Sequence, residues 1–346
     1  HFYSNLIVRR TGAQEHLVYP KAETLWGELA QFAWHQDEPV NSTSQYAQWC
    51  VMRLAKQNGV TVLLDGQGGD EILAGYTAYV PLYVDQVRQY AGLGAAAKAA
   101  WQTARIGGGP VVDQLINHAK HRLPWHAQRL VDTLRPPRLG PGHGGTGLQE
   151  WQLAPVLMDH CHERRWTAPQ LDSAGLAGHL HRDLTATNLP KLLRYEDRSS
   201  MAFSLETRLP FLDYRVVQMV FSLPLNYRFH DGWSKYLLRR AMSDRLPSEI
   251  TWRKTKLGYP TPEVNWLRAG SATVRQVLCD HVDDPLLAQY VQPAALRAMA
   301  ALSDDALAEA PGVWRIVNLA VWLDLFFGKG YSQASSISNG SVPVIG

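Results

Sequence analysis

The spacing of apolar and polar residues divides the chain into stretches of different character. Residues 1–11 read as a helix stopped at Gly12, and 15–20 as a short strand closed by Pro20. From about Ala22 to His35, Leu25, Leu29 and Phe32 recur at three- to four-residue spacing and predict an amphipathic helix. A polar, proline-broken segment follows, then a helix from about Gln45 to Gln57, ended by Asn58-Gly59. Val60 to Leu64 is an apolar, β-rich run that predicts a buried strand, and it leads directly into a glycine-rich turn.

Helix, strand, helix, helix, strand is the order of an α/β layer with parallel strands. Two strands do not make a stable sheet, so the sheet is incomplete as read. From Val80 to about Leu180 the pattern is helical, with an alanine-rich stretch at Ala91–Ala104. Residues 136–147 are almost all turn formers and predict a mobile surface loop. A final helix over 311–327 precedes a Gly/Ser tail, predicted to be disordered from about residue 331.

Composition narrows the partners. With 46% apolar and 19% charged residues the chain belongs with soluble globular proteins, and its formal charge of +3 is too small for a polyanion-binding surface. Nucleic acid is therefore not an expected partner. Nor is a membrane, because the most apolar window, Val313–Phe327, is too short to span one and carries Arg315, Asn318 and Asp324. Cys50, Cys161 and Cys279 are odd in number and far apart, which favours a reducing, cytoplasmic setting. Histidines at 118, 121, 126 and 143, the His160-Cys161-His162 run and His179/His181 are too poorly spaced to serve as metal ligand sets.

The chemistry concentrates in a few segments. In Asp65-Gly66-Gln67-Gly68-Gly69-Asp70-Glu71, three glycines in four residues let main-chain N–H groups approach a bound anion. Asp70 and Glu71 put two carboxylates at the start of the next helix, where they favour its positive dipole end or a divalent cation. A plain strand-to-helix turn with Asp70 as its cap explains the same residues. Between Leu192 and Asp213, Glu196, Asp197, Arg198, Glu206 and Arg208 interleave with apolar residues, so several charges must be partly buried and paired; Arg208 with Asp213 is the expected ion pair. The Lys/Arg/Gly-rich segment 253–260 suits an anionic ligand or a solvated loop equally well.

Four segments, in order, resemble the asparagine synthetase family. Residues 65–71 with Ala74-Gly75-Tyr76 resemble its "SGEGxDE…GGY" signature, and 197–213 resembles "DRxSMAxSLExRxPFLD", the most specific match. Lys235 with Leu238-Arg239 and Leu246-Pro247, and then 253–260 with Trp266-Leu267, resemble the two remaining motifs. The resemblance covers roughly residues 15–327.

It implies an adenine nucleotide α-hydrolase-like (ATP-pyrophosphatase) α/β domain over 1–330: a residual sheet part at 1–76, a helical excursion at 77–185 and a helical C-terminal part at 186–330, followed by a flexible tail at 331–346. It also implies ATP-dependent amidation of aspartate through an acyl-adenylate, with ATP and Mg²⁺ as cofactors and aspartate and glutamine-derived ammonia as partners; a homodimer is compatible with it. By the same resemblance Gly66, Gln67 and Gly68 would receive ATP, and Asp70, Glu71 and Lys235 would meet pyrophosphate or substrate. Asp70 would hold Mg²⁺, Lys235 would stabilise charge at the α-phosphate, and Glu196 matches a glutamate that assists the base in β-lactam synthetases.

Two departures stand out. Gln67 replaces the family's glutamate, and an amide cannot take a proton. Neither the "SGGxDS" pyrophosphate loop nor the glutaminase cysteine occurs, which points to an N-terminally truncated chain that by itself neither hydrolyses glutamine nor binds ATP well. Alternatives are another adenylating amide-bond former, of the β-lactam or macrolactam type, or a non-catalytic scaffold.

Overall fold

The computed structural model describes residues 2–103, 148–157, 175–254 and 261–328. The turn-rich stretch 136–147, the histidines at 118, 121, 126, 143, 160 and 162, and the tail from 331 lie outside them. The chain opens with helices α1 (Phe2–Thr11), α2 (Ala22–Gln36) and α3 (Ser44–Gln57), strand β1 (Val62–Leu64), the short α4 (Gly69–Leu73) and the long α5 (Tyr79–Thr103). After the undescribed interval come α6 (Gly175–Arg182), α7 (Leu189–Met201), β2 (Glu206–Arg208), α8 (Tyr214–Ser222) and the strands β3 (Phe229–His230) and β4 (Trp233–Ser234). The last part is helical: α9 (Tyr236–Met242), α10 (Glu263–Ala269), α11 (Ser271–Asp280), α12 (Pro293–Ala300), α13 (Asp304–Glu309) and α14 (Val313–Phe327).

The amphipathic patterns form helices close to the predicted bounds. Leu25, Leu29 and Phe32 of α2 are all buried, and Phe32 meets Tyr46 and Trp49 of α3 edge-on at centroid distances of 5.6 and 5.7 Å. This face joins Trp266, Leu278, Leu296 and the inner side of α14 in one continuous core. The alanine-rich stretch is the second part of α5, which kinks at Gly92, where φ is 82° and only glycine is unstrained.

The strands depart from expectation. Residues 15–20 form no strand. The second strand is instead β2, in parallel register with β1: Val62 opposite Glu206, Leu63 opposite Thr207 and Leu64 opposite Arg208. Nor is β1 buried, since Val62 and Leu64 are 43% and 76% exposed. A sheet of two strands covers neither of its faces, and parallel sheets are normally covered on both. Arg208 does not pair with Asp213. It bonds Glu206 at 2.9 Å, while Asp213 caps α8 and pairs with Arg215 at 2.6 Å, both of them partners closer in sequence. No helix among the described residues is long and apolar enough to cross a membrane.

Candidate active site

The glycine turn leaves β1 at Asp65, whose amide still bonds Arg208 O across the sheet at 3.0 Å. The Gly69 amide bonds Gly66 O at 3.3 Å and closes the turn, while the amides of Gln67 and Gly68 donate to nothing among the described residues. Gly68 has a φ of 84° and lies against Leu212, so a side chain there would be both strained and obstructed. The backbone thus doubles back with two N–H groups available to an anion.

Asp70 and Glu71, adjacent in sequence, part ways in space. Glu71 turns inward, buried, and its Oε1 accepts from Tyr76 Oη at 2.8 Å and Asn188 Nδ2 at 2.7 Å. Burial and the Glu71 charge push the Tyr76 phenol well above its ordinary range, so it stays a hydrogen-bond donor. Asp70 turns toward solvent and forms an ion pair with Lys235, Nζ to Oδ1 3.1 Å, both side chains about one-quarter exposed. Gly75, whose N–H bonds Asp70 O at 2.9 Å, packs so closely under the pair that any Cβ there would overlap Asp70 Oδ1 and Lys235 Cε.

Lys235 comes 165 positions after Asp70, delivered by a hairpin. Asp231-Gly232, both in left-handed conformation (φ 47° and 78°), make the tight turn between β3 and β4, and Lys235 follows at φ 52°. A non-glycine residue in that region is held there at a cost of about 1–3 kcal/mol, by surroundings that over-determine it. Two arginines provide them, Arg228 buried and Arg239 half-buried. Arg239 donates to Ser234 O at 2.7 Å and Thr251 O at 2.6 Å. Arg228 donates to Val220 O at 2.7 Å, Leu223 O at 3.1 Å and Ile72 O at 3.2 Å, tying the hairpin base to α8 and α4. Burial alone lowers both guanidinium pKa values.

Glu196 meets the other end of the turn. It sits on α7, 1% exposed, and neither carboxylate oxygen makes a hydrogen bond among the described residues. Burial first, then the charge of Asp65, pushes its pKa up to about 7, with Gln67 and Thr207 near enough to offset part of the rise. α7 is held at this depth by Arg194 and Arg198, one helical turn apart. Arg194 Nη1 donates to Gln36 O at 2.6 Å and Arg198 Nε to His35 O at 2.8 Å, the end carbonyls of α2, and each arginine also pairs with an acidic neighbour, Glu38 or Asp37.

The structure therefore brings Asp70 to Lys235 at one end of the 65–71 turn, and Glu196 to Asp65 and Gln67 at the other. Glu71 belongs to the buried network behind the turn. A magnesium ion arriving with phosphates needs one or two carboxylates; Asp70 fits that demand, while Glu71 is already engaged. Arg228 and the hairpin were not singled out from the sequence, and Arg239 entered only as part of the motif around Lys235, although Asp231-Gly232 between apolar residues is a hairpin signal. Arg253 and Lys254 stack over Tyr3 and Trp233 and line a cavity of about 230 Å³ with Trp101 and Gln102; residues 255–260 lie outside the described part.

Residues 3–324 match the family described as asparagine synthase. A relative from Mycobacterium tuberculosis, provisionally named a glutamine-hydrolysing asparagine synthetase, is 30% identical over 284 residues, covering 79% of this chain and 41% of its own length. Asparagine synthetase (glutamine-hydrolysing) 1 of Bacillus subtilis is 24% identical over 322 residues, 89% of this chain and 47% of that protein. The human asparagine synthetase (glutamine-hydrolysing) matches over 103 residues at 34% identity, 28% of this chain and 18% of its own. The chain spans less than half the length of these relatives. With its family match running almost from end to end, the chain belongs to the asparagine synthase family.

Proposed function

We propose that this chain is the synthetase part of an enzyme that converts aspartate to asparagine, built on an adenine nucleotide α-hydrolase-like fold. ATP activates the side-chain carboxylate as β-aspartyl-AMP, pyrophosphate leaves, and ammonia from glutamine displaces AMP. The observation that carries the reading is the Asp70–Lys235 contact braced by Gly75. A lysine held in left-handed conformation beside a carboxylate is preorganised to exchange that partner for phosphate oxygens. Lys235 stabilises charge on the α-phosphate and the leaving pyrophosphate. The Gln67 and Gly68 amides receive the nucleotide, and Asp70 holds the magnesium ion, which supplies charge neutralisation at the phosphates when bound. Glu71 fixes the turn from behind through Tyr76 and Asn188.

Glu196 is the proton acceptor for the attacking amine. A carboxyl with a pKa of about 7 beside Gln67 supplies the basic group that the amide at position 67 cannot. The same observation favours a second reading, an amide-bond former that cyclises its substrate with an internal amine. Pyrophosphate release and product analysis with the full-length protein separate the two. Asparagine, AMP and pyrophosphate from aspartate, ATP and an ammonia source support the first; a cyclised product and no asparagine replace it with the second. Loss of aspartate-dependent pyrophosphate release in Lys235→Ala, with melting temperature retained, is the expected result, and unchanged release sinks the site assignment.

A further inference from the structure

A second cluster of ligand-type side chains lies away from the turn and shares no residue with it. His281 caps the C-terminus of α11, Asp284 follows in the next turn, and Asp324 stands in the last turn of α14. One nitrogen or oxygen from each lies within 4.8 Å of the others. The buried ring of His281 is fixed at both nitrogens: Nδ1 is 2.7 Å from Val277 O, and Nε2 is 2.8 Å from Asp324 Oδ2. A carbonyl oxygen only accepts, so Nδ1 carries the proton. Nε2 then faces a carboxylate, which also only accepts.

A cation placed between the two would be bound by both groups. A cation uses all three groups. Donation of the other ring N–H to a backbone carbonyl is the usual way a metal-bound imidazole is oriented. Asp284 is oriented too, since its Oδ1 accepts from the Leu286 amide at 2.7 Å, leaving lone pairs on the second oxygen. Metal–ligand bonds of about 2.0–2.2 Å put donor atoms within roughly 4 Å of each other, so a small rotation of the exposed Asp324 or of Asp284 closes the set.

We propose that His281, Asp284 and Asp324 bind a divalent transition-metal ion, Zn²⁺ by preference, which clips the turn after α11 to the end of α14. The imidazole selects against Mg²⁺ and Ca²⁺, and exposure on the Asp324 side leaves an entry path and an open position for water. Both helices belong to the main core, so the ion joins elements that the apolar packing already brings together.

The test is titration of the full chain with Co²⁺, read by its visible ligand-field absorption, and with Zn²⁺, read by melting temperature. Because the chain has 13 histidines, the decisive quantity is the difference between wild type and Asp324→Asn, a nearly isosteric change at an exposed position. One equivalent of Co²⁺ lost in Asp324→Asn, with a Zn²⁺-dependent rise in melting temperature lost alongside it, is expected. His281→Ala and Asp284→Asn should lose the same equivalent. Equal metal stoichiometry in wild type and Asp324→Asn overturns the proposal, as does a metal-independent drop in the melting temperature of Asp324→Asn with no metal response in the wild type.

Discussion

The helices around Phe32 and Trp314 and the two-strand sheet around the glycine turn are built on opposite terms. In the first region apolar side chains from α2, α3, α10, α11, α12 and α14 fill one another's gaps, and each residue gains from its neighbours. In the second, strand residues remain exposed, Glu196 is buried without a hydrogen bond, and Lys235 is held at positive φ. Each of these features opposes stability where it occurs. The contrast shows where the molecule draws rigidity and where it spends it: the core holds the arginine and glycine contacts in place, and those contacts hold reactive groups in conformations they would not choose.

The sharpest way to break the contrast is a cavity in the core. Phe32→Ala should cost about 3–5 kcal/mol, seen as a lower denaturant midpoint, with site chemistry lost only through unfolding. In the other region Lys235→Ala should raise the barrier to pyrophosphate release by on the order of 3 kcal/mol or more, while the denaturant midpoint scarcely moves. Gly75→Ala should do both on a smaller scale, costing about 1–3 kcal/mol, because the added methyl group displaces the pair it underlies.

Glu196→Gln sharpens the comparison by pH. The folded pKa of about 7 lies above the ordinary value of 4.5, so the wild type loses stability as pH rises from about 4.5 through about 7. Glu196→Gln should therefore match the wild type in acid and exceed it at pH 8, by up to about 3 kcal/mol. The same variant should keep ATP–pyrophosphate exchange and lose amide formation; a Glu196→Gln enzyme that still forms amide at the wild-type rate removes the base role. The smallest effect belongs to Leu64→Ser, at an exposed strand position, which should stay within about 0.5 kcal/mol of the wild type in chemical denaturation.

Much of the helical region was legible because its signal is local. Leu25, Leu29 and Phe32 repeat at the helical period, and that period alone turns them to one face. The turn at 66–69 was legible for a similar reason, since glycines at such density have few other uses. The strands misled. Residues 15–20 look like a strand but form none, whereas Glu206-Thr207-Arg208, in a segment marked by its interleaved charges, pair with β1. Strand pairing depends on a distant segment, and three residues carry too little pattern to announce it. The Arg208–Asp213 pair failed for the same reason, because the partner of an exposed charge is set by whichever group folding brings nearest.

The sequence by itself determined the helices, the glycine turn, and the presence of Asp70, Glu71, Glu196 and Lys235 as groups able to do chemistry. Only the tertiary structure decided that Asp70 faces Lys235 while its neighbour Glu71 faces Tyr76, and that Glu196 lies unpaired beside Asp65. Adjacent residues on one helical turn point in different directions, and which of those directions is solvent and which is core depends on segments more than a hundred residues away.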